Sequence, residues 1–292
     1  VPVISLSFTG IEKNPGFTVG LGALVDMLRA LLYGDLLMRC LYRTRPYEKV
    51  KGTADALYRK WDETLRRQFR SGRHSVRKNA QRIVADFSAV EISDVKKPRV
   101  GVVGEILVKF HPVANNRIVN LIESEGGEAV VPDFLDFFLY GMYNNNTKYE
   151  LLDGSALSKT VGNIAIRFIE HFRKPFAEAL EGTRFGVPAD IYKLAEAARH
   201  VVSTANMSGE GWFLTAEMLE LMENGTNNIV CVQPFACLPN HVTGKGVMKE
   251  LKRQNPQANI VAVDYDPGAS EVNQINRIKL MMSVAFANLQ KS

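Results

Sequence analysis

Cysteine is scarce in this chain: Cys40, Cys231 and Cys237 are all that 292 residues contain. Three is too few for a scaffold held by disulfides and odd in number, which points to a reducing, cytoplasmic setting. No apolar run approaches the roughly 18 residues of a membrane span, and no signal-peptide pattern stands at the start. Nucleotide-binding signatures are also missing. There is no G-x-x-x-x-G-K-[ST], of which Thr243-Gly244-Lys245-Gly246 is only a fragment, so a P-loop ATPase is excluded. No G-x-G-x-x-G follows a strand, which argues against an ordinary NAD domain, and no nucleophile elbow occurs. Internal repeats and low-complexity segments are absent too.

What is present reads as a globular protein. Hydrophobic residues at 46% and charged residues at 23% exclude a disordered or collagen-like chain. The length suits two domains, or one with insertions. The net charge of +5 is unevenly spread. Residues 59–82 hold Arg59, Lys60, Arg66, Arg67, Arg70, Arg73, Arg77, Lys78 and Arg82 against Asp62 and Glu63, which leaves the rest slightly acidic. A solvated helix face explains this most simply. The functional alternative is an anionic partner: an acidic protein surface, ligand phosphates or, ranked last, nucleic acid, for which no motif is present. The chain opens on Val1, and Val3–Phe8 reads as a strand, so a piece of a longer protein is expected.

The pattern changes at Lys97-Pro98. Before it, helical periodicity covers 18–45 and 49–85, with Gly72 dividing the second stretch. Residues 1–97 are therefore read as a strand plus long helices, the remainder of an upstream α/β domain absent here. Residues 98–292 are read as a parallel, Rossmann-like α/β domain with a helical insertion at about 134–200. Strands are predicted at 99–105, 128–131, 228–232 and 259–264, and helices near 115–125, 211–223, 240–253 and 270–290. A loop is predicted at Asn144-Asn145-Asn146, with breaks at Gly182 and Pro188. The last helix is expected to bury Val272, Ile275, Ile278, Met282 and Phe286.

In open α/β sheets ligands bind beyond the carboxyl ends of the strands. Gly104-Glu105, Cys231 and Asp264-Tyr265-Asp266 stand at such ends. Cys237 follows Cys231 by six residues, and two thiolates there suit a metal or an iron–sulfur cluster, although C-x5-C is not a standard zinc or ferredoxin spacing. The plainer reading is two core cysteines. Zinc held by Cys231, Cys237 and His241, with Cys40 or a carboxylate as fourth ligand, is the other metal reading. Glu105 is an acid/base candidate or a cap. His241 is a hydrogen-bond donor to a bound cluster or anion, or a helix-start residue, and His111 is a surface residue.

Residues 229–246, IVCVQPFACLPNHVTGKG, and 260–282, IVAVDYDPGASEVNQINRIKLMM, resemble the 2-hydroxyacyl-CoA dehydratase component-D superfamily. The similarity is to its branch of large CoA-substrate-specific enzyme activases and double-cubane-cluster proteins. It continues through Tyr33-Gly34-Asp35, Arg45-Pro46-Tyr47-Glu48, Val103-Gly104-Glu105, Pro132, Asp136-Phe137-Phe138-Leu139-Tyr140 and Gly209-Glu210-Gly211-Trp212. The resemblance implies a [4Fe–4S] or double-cubane cluster in the full-length protein, between α/β domains and commonly with three cysteines per subunit. It implies Cys231 and Cys237 as ligands; Glu105 and His241, read from their positions, are the candidates to support them. Cys40 falls inside a helical stretch, so a third ligand is expected upstream of Val1, and the isolated chain is expected to be inactive and free of cluster. Implied partners are an actin-like ATPase activator, on the same polypeptide or separate, a CoA thioester and a second copy in a homodimer. The expected function is an iron–sulfur electron-transfer or reductive-catalysis component. Against it stand a non-redox scaffold that docks an activator and a zinc-stabilised domain.

Overall fold

The computed structural model describes residues 20–72, 75–266 and 268–290. The predicted strand Val3–Phe8 lies outside the described residues, as do Arg73 and Pro267. Four strands form one all-parallel sheet in the order β2-β1-β3-β4: β1 Arg99–Gly104, β2 Glu128–Val130, β3 Asn228–Gln233 and β4 Asn259–Asp264. Their β-branched runs are buried on both faces, as a parallel sheet between helices requires. Val100, Val102, Val230, Val232 and Val263 face α5 (Ile118–Ser124) and α11 (Glu271–Leu289). The alternate residues Val103, Ile229, Cys231 and Ala262 face α9 (Gly211–Glu223) and α10 (Met248–Gln254). The chain is thus an α/β protein with a doubly covered parallel sheet.

Between β2 and β3 the helical insertion runs through α6 (Leu135–Leu151), α7 (Ala156–Leu180) and α8 (Ile191–Arg199). It shares one apolar core with α1 (Leu21–Tyr42), α2 (Thr53–Ser71) and α3 (Val76–Ser88), built around Tyr33, Trp61, Phe87, Leu139, Phe176 and Trp212. The helices before Lys97 therefore pack on the insertion in one helical layer. A short α4 (Ile106–Phe110) follows β1. Among the described residues no helix is long and apolar enough to cross a membrane.

Two expectations are corrected. Asn144, Asn145 and Asn146 are not a loop but the interior of α6. Their weak helix propensity is offset by tertiary partners: Asn144 Oδ1 accepts from Trp212 Nε1 at 2.9 Å, and Asn146 exchanges two hydrogen bonds with Asn163 at 2.9 and 3.0 Å. The buried face of α11 is also rotated from the predicted one. Gln274, Ile278, Met281, Met282 and Ala285 are buried, whereas Val272 is 65% exposed and Phe286 37%. In the first turn of α11 the inward position is taken by Gln274, which donates to Asp264 O at 2.8 Å, and Val272 is turned outward.

Charges are buried along the seam between the helical layer and the sheet. Arg39 pairs with Asp133 at 2.6 Å, Arg173 with Asp136 at 2.9 Å, and Lys109 with Glu217 at 2.5 Å. Asp35 on α1 accepts from the amides of Phe134 and Leu135, tying α1 to the start of α6. Burial first, then the neighbouring Asp133, pushes its carboxyl well above the usual range. The basic stretch behaves as a solvated surface instead. Gly72, in the left-handed region at φ +65°, closes α2, and Arg66, Lys60 and Arg77 meet Asp62, Asp86 and Glu178 at exposed positions.

Candidate functional site

The sheet order places β1 and β3 side by side while their onward connections lead to opposite edges, to β2 and to β4. The crevice beyond the carboxyl ends of these two strands is the switch point at which α/β sheets bind ligands. Gly104 makes it possible for the strands to run so close. Its φ is +138°, and a Cβ there would lie 1.8 Å from the Val232 carbonyl oxygen. Only glycine fits.

Beyond β3 the chain turns sharply through Pro234–Cys237, with Cys237 N bonded to Pro234 O and Ala236 at φ +57°. Cys237 emerges half-buried, flanked by the exposed Phe235, Leu238 and Val242. A π-helical turn, Asn240–Lys245, follows. Such turns are rare and concentrate at functional sites. Here it is held from below by Thr215 Oγ1, which donates to Thr243 O at 2.7 Å.

A short polar chain joins the two strand ends. Glu210, from the loop before α9, accepts from the Ile106 amide at 3.0 Å through Oε1, and from Asn240 Nδ2 at 3.1 Å through Oε2. Asn240 Nδ2 also donates to Cys237 Sγ at 3.2 Å. Glu210 and Asn240 are buried, so these bonds are shielded from water and correspondingly firm. The Asn240 Oδ1 and Gln233 Oε1 atoms are buried without a hydrogen-bond partner among the described residues.

On the β4 side, Lys245 Nζ lies 3.0 Å from Asp264 Oδ1 and 3.3 Å from His241 Nε2. With Lys245 donating to Nε2, the ring hydrogen sits on His241 Nδ1 and is given to the Cys237 carbonyl oxygen, 2.8 Å away. Gln233 Nε2 adds a 2.6 Å bond to Asp264. Burial pushes the Asp264 carboxyl up, but the bonds from Gln233 and Lys245 outweigh it and hold it below the usual range. The loop that carries Cys237 is therefore pinned on one side through Asn240 and on the other through His241.

The two thiols expected to act together have unlike surroundings. Cys231 is fully buried in the apolar cluster under α9. A Cβ on Gly244 would sit 3.2 Å from its Sγ and 3.0 Å from Leu214, so the π-turn closes directly over the sulfur. Burial pushes the Cys231 thiol up to about 12, which disfavours the thiolate a metal needs. Cys40 is likewise enclosed, in the separate helical core, with its thiol pushed up to about 12. Both ring nitrogens of His241 are hydrogen-bonded, and Cys40 lies in a different core from Cys231. No group of three or more His, Cys, Asp or Glu side chains placed to hold a metal occurs among the described residues.

Glu105 is a helix cap: its Oε2 accepts from Val108 N at 2.8 Å. His111 is exposed, its Nδ1 accepting from Ala114 N at 3.4 Å. Residue reasoning alone gave no role to Glu210, Asn240, Gln233 or Lys245. Gln233, Asn240 and Lys245 share one stretch after a strand, around Pro234 and Pro239, whereas Glu210 is brought to them from before α9 by the fold alone.

Comparison of the chain with family models, with curated proteins and with solved structures found no match in any of the three.

Proposed function

We propose that this chain is part of an iron–sulfur electron-transfer or reductive-catalysis component related to 2-hydroxyacyl-CoA dehydratases, working in the cytoplasm and receiving low-potential electrons from an ATP-dependent activator. The observation that carries the reading is a half-buried thiol, Cys237, presented on a pinned loop at the switch point of a parallel sheet. A cluster bound there supplies one-electron chemistry at low potential. Cys237 is the ligand this chain offers; Cys231 packs beneath it and keeps the π-turn in place. The remaining ligands come from outside the described residues.

The chain's own groups have definable tasks. Asn240 donates to the Cys237 sulfur, and a hydrogen bond to a ligating sulfur stabilises the more reduced state. His241 and Lys245 fix the loop against Asp264. Phe235, Leu238 and Val242 provide an apolar rim that limits water around the sulfur and suits a protein or acyl partner.

Anaerobic reconstitution of the longer polypeptide with iron and sulfide, followed by EPR after reduction, tests this. Cys237→Ala is expected to abolish the signal, while Cys231→Ala keeps iron and loses stability. Wild-type protein without iron, or iron indifferent to Cys237→Ala, overturns the reading. Stoichiometric zinc instead favours the zinc-stabilised domain. Capture of an activator by a metal-free chain favours the scaffold.

A further inference from the structure

A cavity of about 180 Å³ lies between α1, α9 and the start of β1. Its wall carries three guanidinium groups, those of Arg39, Arg43 and Arg99. Arg39 is neutralised by Asp133, and Arg99 has Glu128 at 3.5 Å and donates to Asn224 O. Arg43 has no carboxylate within 4.0 Å among the described residues; its one hydrogen bond runs to the Arg184 carbonyl oxygen at 3.4 Å. Burial, and then the positive charges of Arg39 and Arg99, lower the Arg43 guanidinium to about 10. Gly186, at φ +69°, leaves room for this side chain, because a Cβ there would come within 2.9 Å of Arg43 Nη1.

The same cavity is lined by Thr226, which is fully buried and whose hydroxyl has no partner among the described residues. A buried hydroxyl without a partner and a guanidinium without a paired carboxylate line the same cavity, and both are hydrogen-bond donors that an oxyanion accepts from. Three carboxylates also reach the cavity. Asp136 and Glu217 are held by Arg173 and Lys109, and Glu220 is held by Asn224 Nδ2 at 2.8 Å. The volume is below the roughly 300–1,000 Å³ of pockets for drug-sized ligands, so the occupant is small.

We propose that this cavity binds a small oxyanion, inorganic phosphate or a short carboxylate, through Arg43, Arg99 and the Thr226 hydroxyl. The inference is independent of any cluster at Cys237. Isothermal titration of the full chain with sodium phosphate, sulfate, acetate and malonate, at ionic strength held constant with sodium chloride, tests it. Saturable binding of at least one anion is expected. Selectivity for phosphate and sulfate assigns a tetrahedral occupant, and selectivity for acetate or malonate a carboxylate. Arg43→Gln should weaken binding at least tenfold and Thr226→Val severalfold, Glu220→Gln should tighten it, and the exposed Arg82→Gln should leave it unchanged. Thr226→Val preserves shape, so it stands as the test if Arg43→Gln fails to fold. No saturable binding of any of the four anions, which is the result for a cavity that holds only water, overturns the proposal. So does an affinity that Arg43→Gln and Thr226→Val leave unchanged.

Discussion

Polar groups are buried in two parts of this molecule, and different physics keeps them there. At the carboxyl edge of the sheet, Cys237, Asn240, Glu210 and the Ile106 amide are linked mainly by hydrogen bonds, with solvent close to the thiol. At the seam between helical layer and sheet, whole charges are enclosed: Arg173 is 3% exposed, and Asp133 and Asp136 are 5% and 6%. A hydrogen bond from a neutral donor such as the Asn240 amide can be lost at modest cost. Enclosed charges cannot, because removing one leaves its partner unpaired in a poorly solvating medium. The edge is thus free to vary its chemistry, while the seam holds the two layers in register.

The strongest way to break this contrast is to remove a seam charge. Arg173→Leu leaves Asp136 without its guanidinium, while Asp133 keeps Arg39, and should cost about 3–5 kcal/mol, read from urea denaturation. A loss below about 1 kcal/mol would show that the seam is not held by these pairs.

A smaller effect comes from pH. Burial outweighs Lys109 and pushes the Glu217 carboxyl up to about 7, and burial likewise raises Asp136 to about 6 against the pull of Arg173. These groups hold protons in the folded state more tightly than in the unfolded chain. Their contribution to stability is therefore full below the ordinary carboxylate range and lost as pH rises through about 6 to 7. Stability should fall by about 1 kcal/mol or more between pH 5 and 7.5, and Glu217→Gln should flatten that slope in denaturation curves taken across the range.

The smallest effect sharpens the contrast within six residues of chain. Native protein treated with iodoacetamide should be alkylated at Cys237, with Cys231 and Cys40 protected until unfolding, as peptide mass mapping would report. Cys237→Ser should change stability by less than about 0.5 kcal/mol, the usual scale for partly exposed positions. Cys231→Ser places a hydroxyl under Gly244 and Leu214 and should cost about 1–3 kcal/mol. Equal reactivity of the two thiols would dissolve the distinction.

Much of the fold was legible because it rests on local pattern. The β-branched runs at 99–104, 228–233 and 259–264 and the helix 211–223 follow from periodicity and from Gly225 as a stop. The Asn144–Asn146 helix was not legible, since Trp212 and Asn163, which satisfy those amides, are distant in sequence. Nor was the split of the predicted 240–253 helix into a π-turn and α10, with Gly244 of the π-turn packed over Cys231. The candidate site was half legible. A reactive cysteine after a strand could be picked out, but Cys231 and Cys237 look alike in sequence, and burial depends on what packs over each.

By itself, then, the sequence determined a parallel α/β domain with a helical insertion, because strand and helix periods are properties of neighbouring residues. Tertiary structure alone decided which thiol faces solvent, which charges are enclosed and where Arg43 is left without a counter-ion. Those outcomes depend on solvation and on partners brought together from far along the chain, neither of which local pattern encodes.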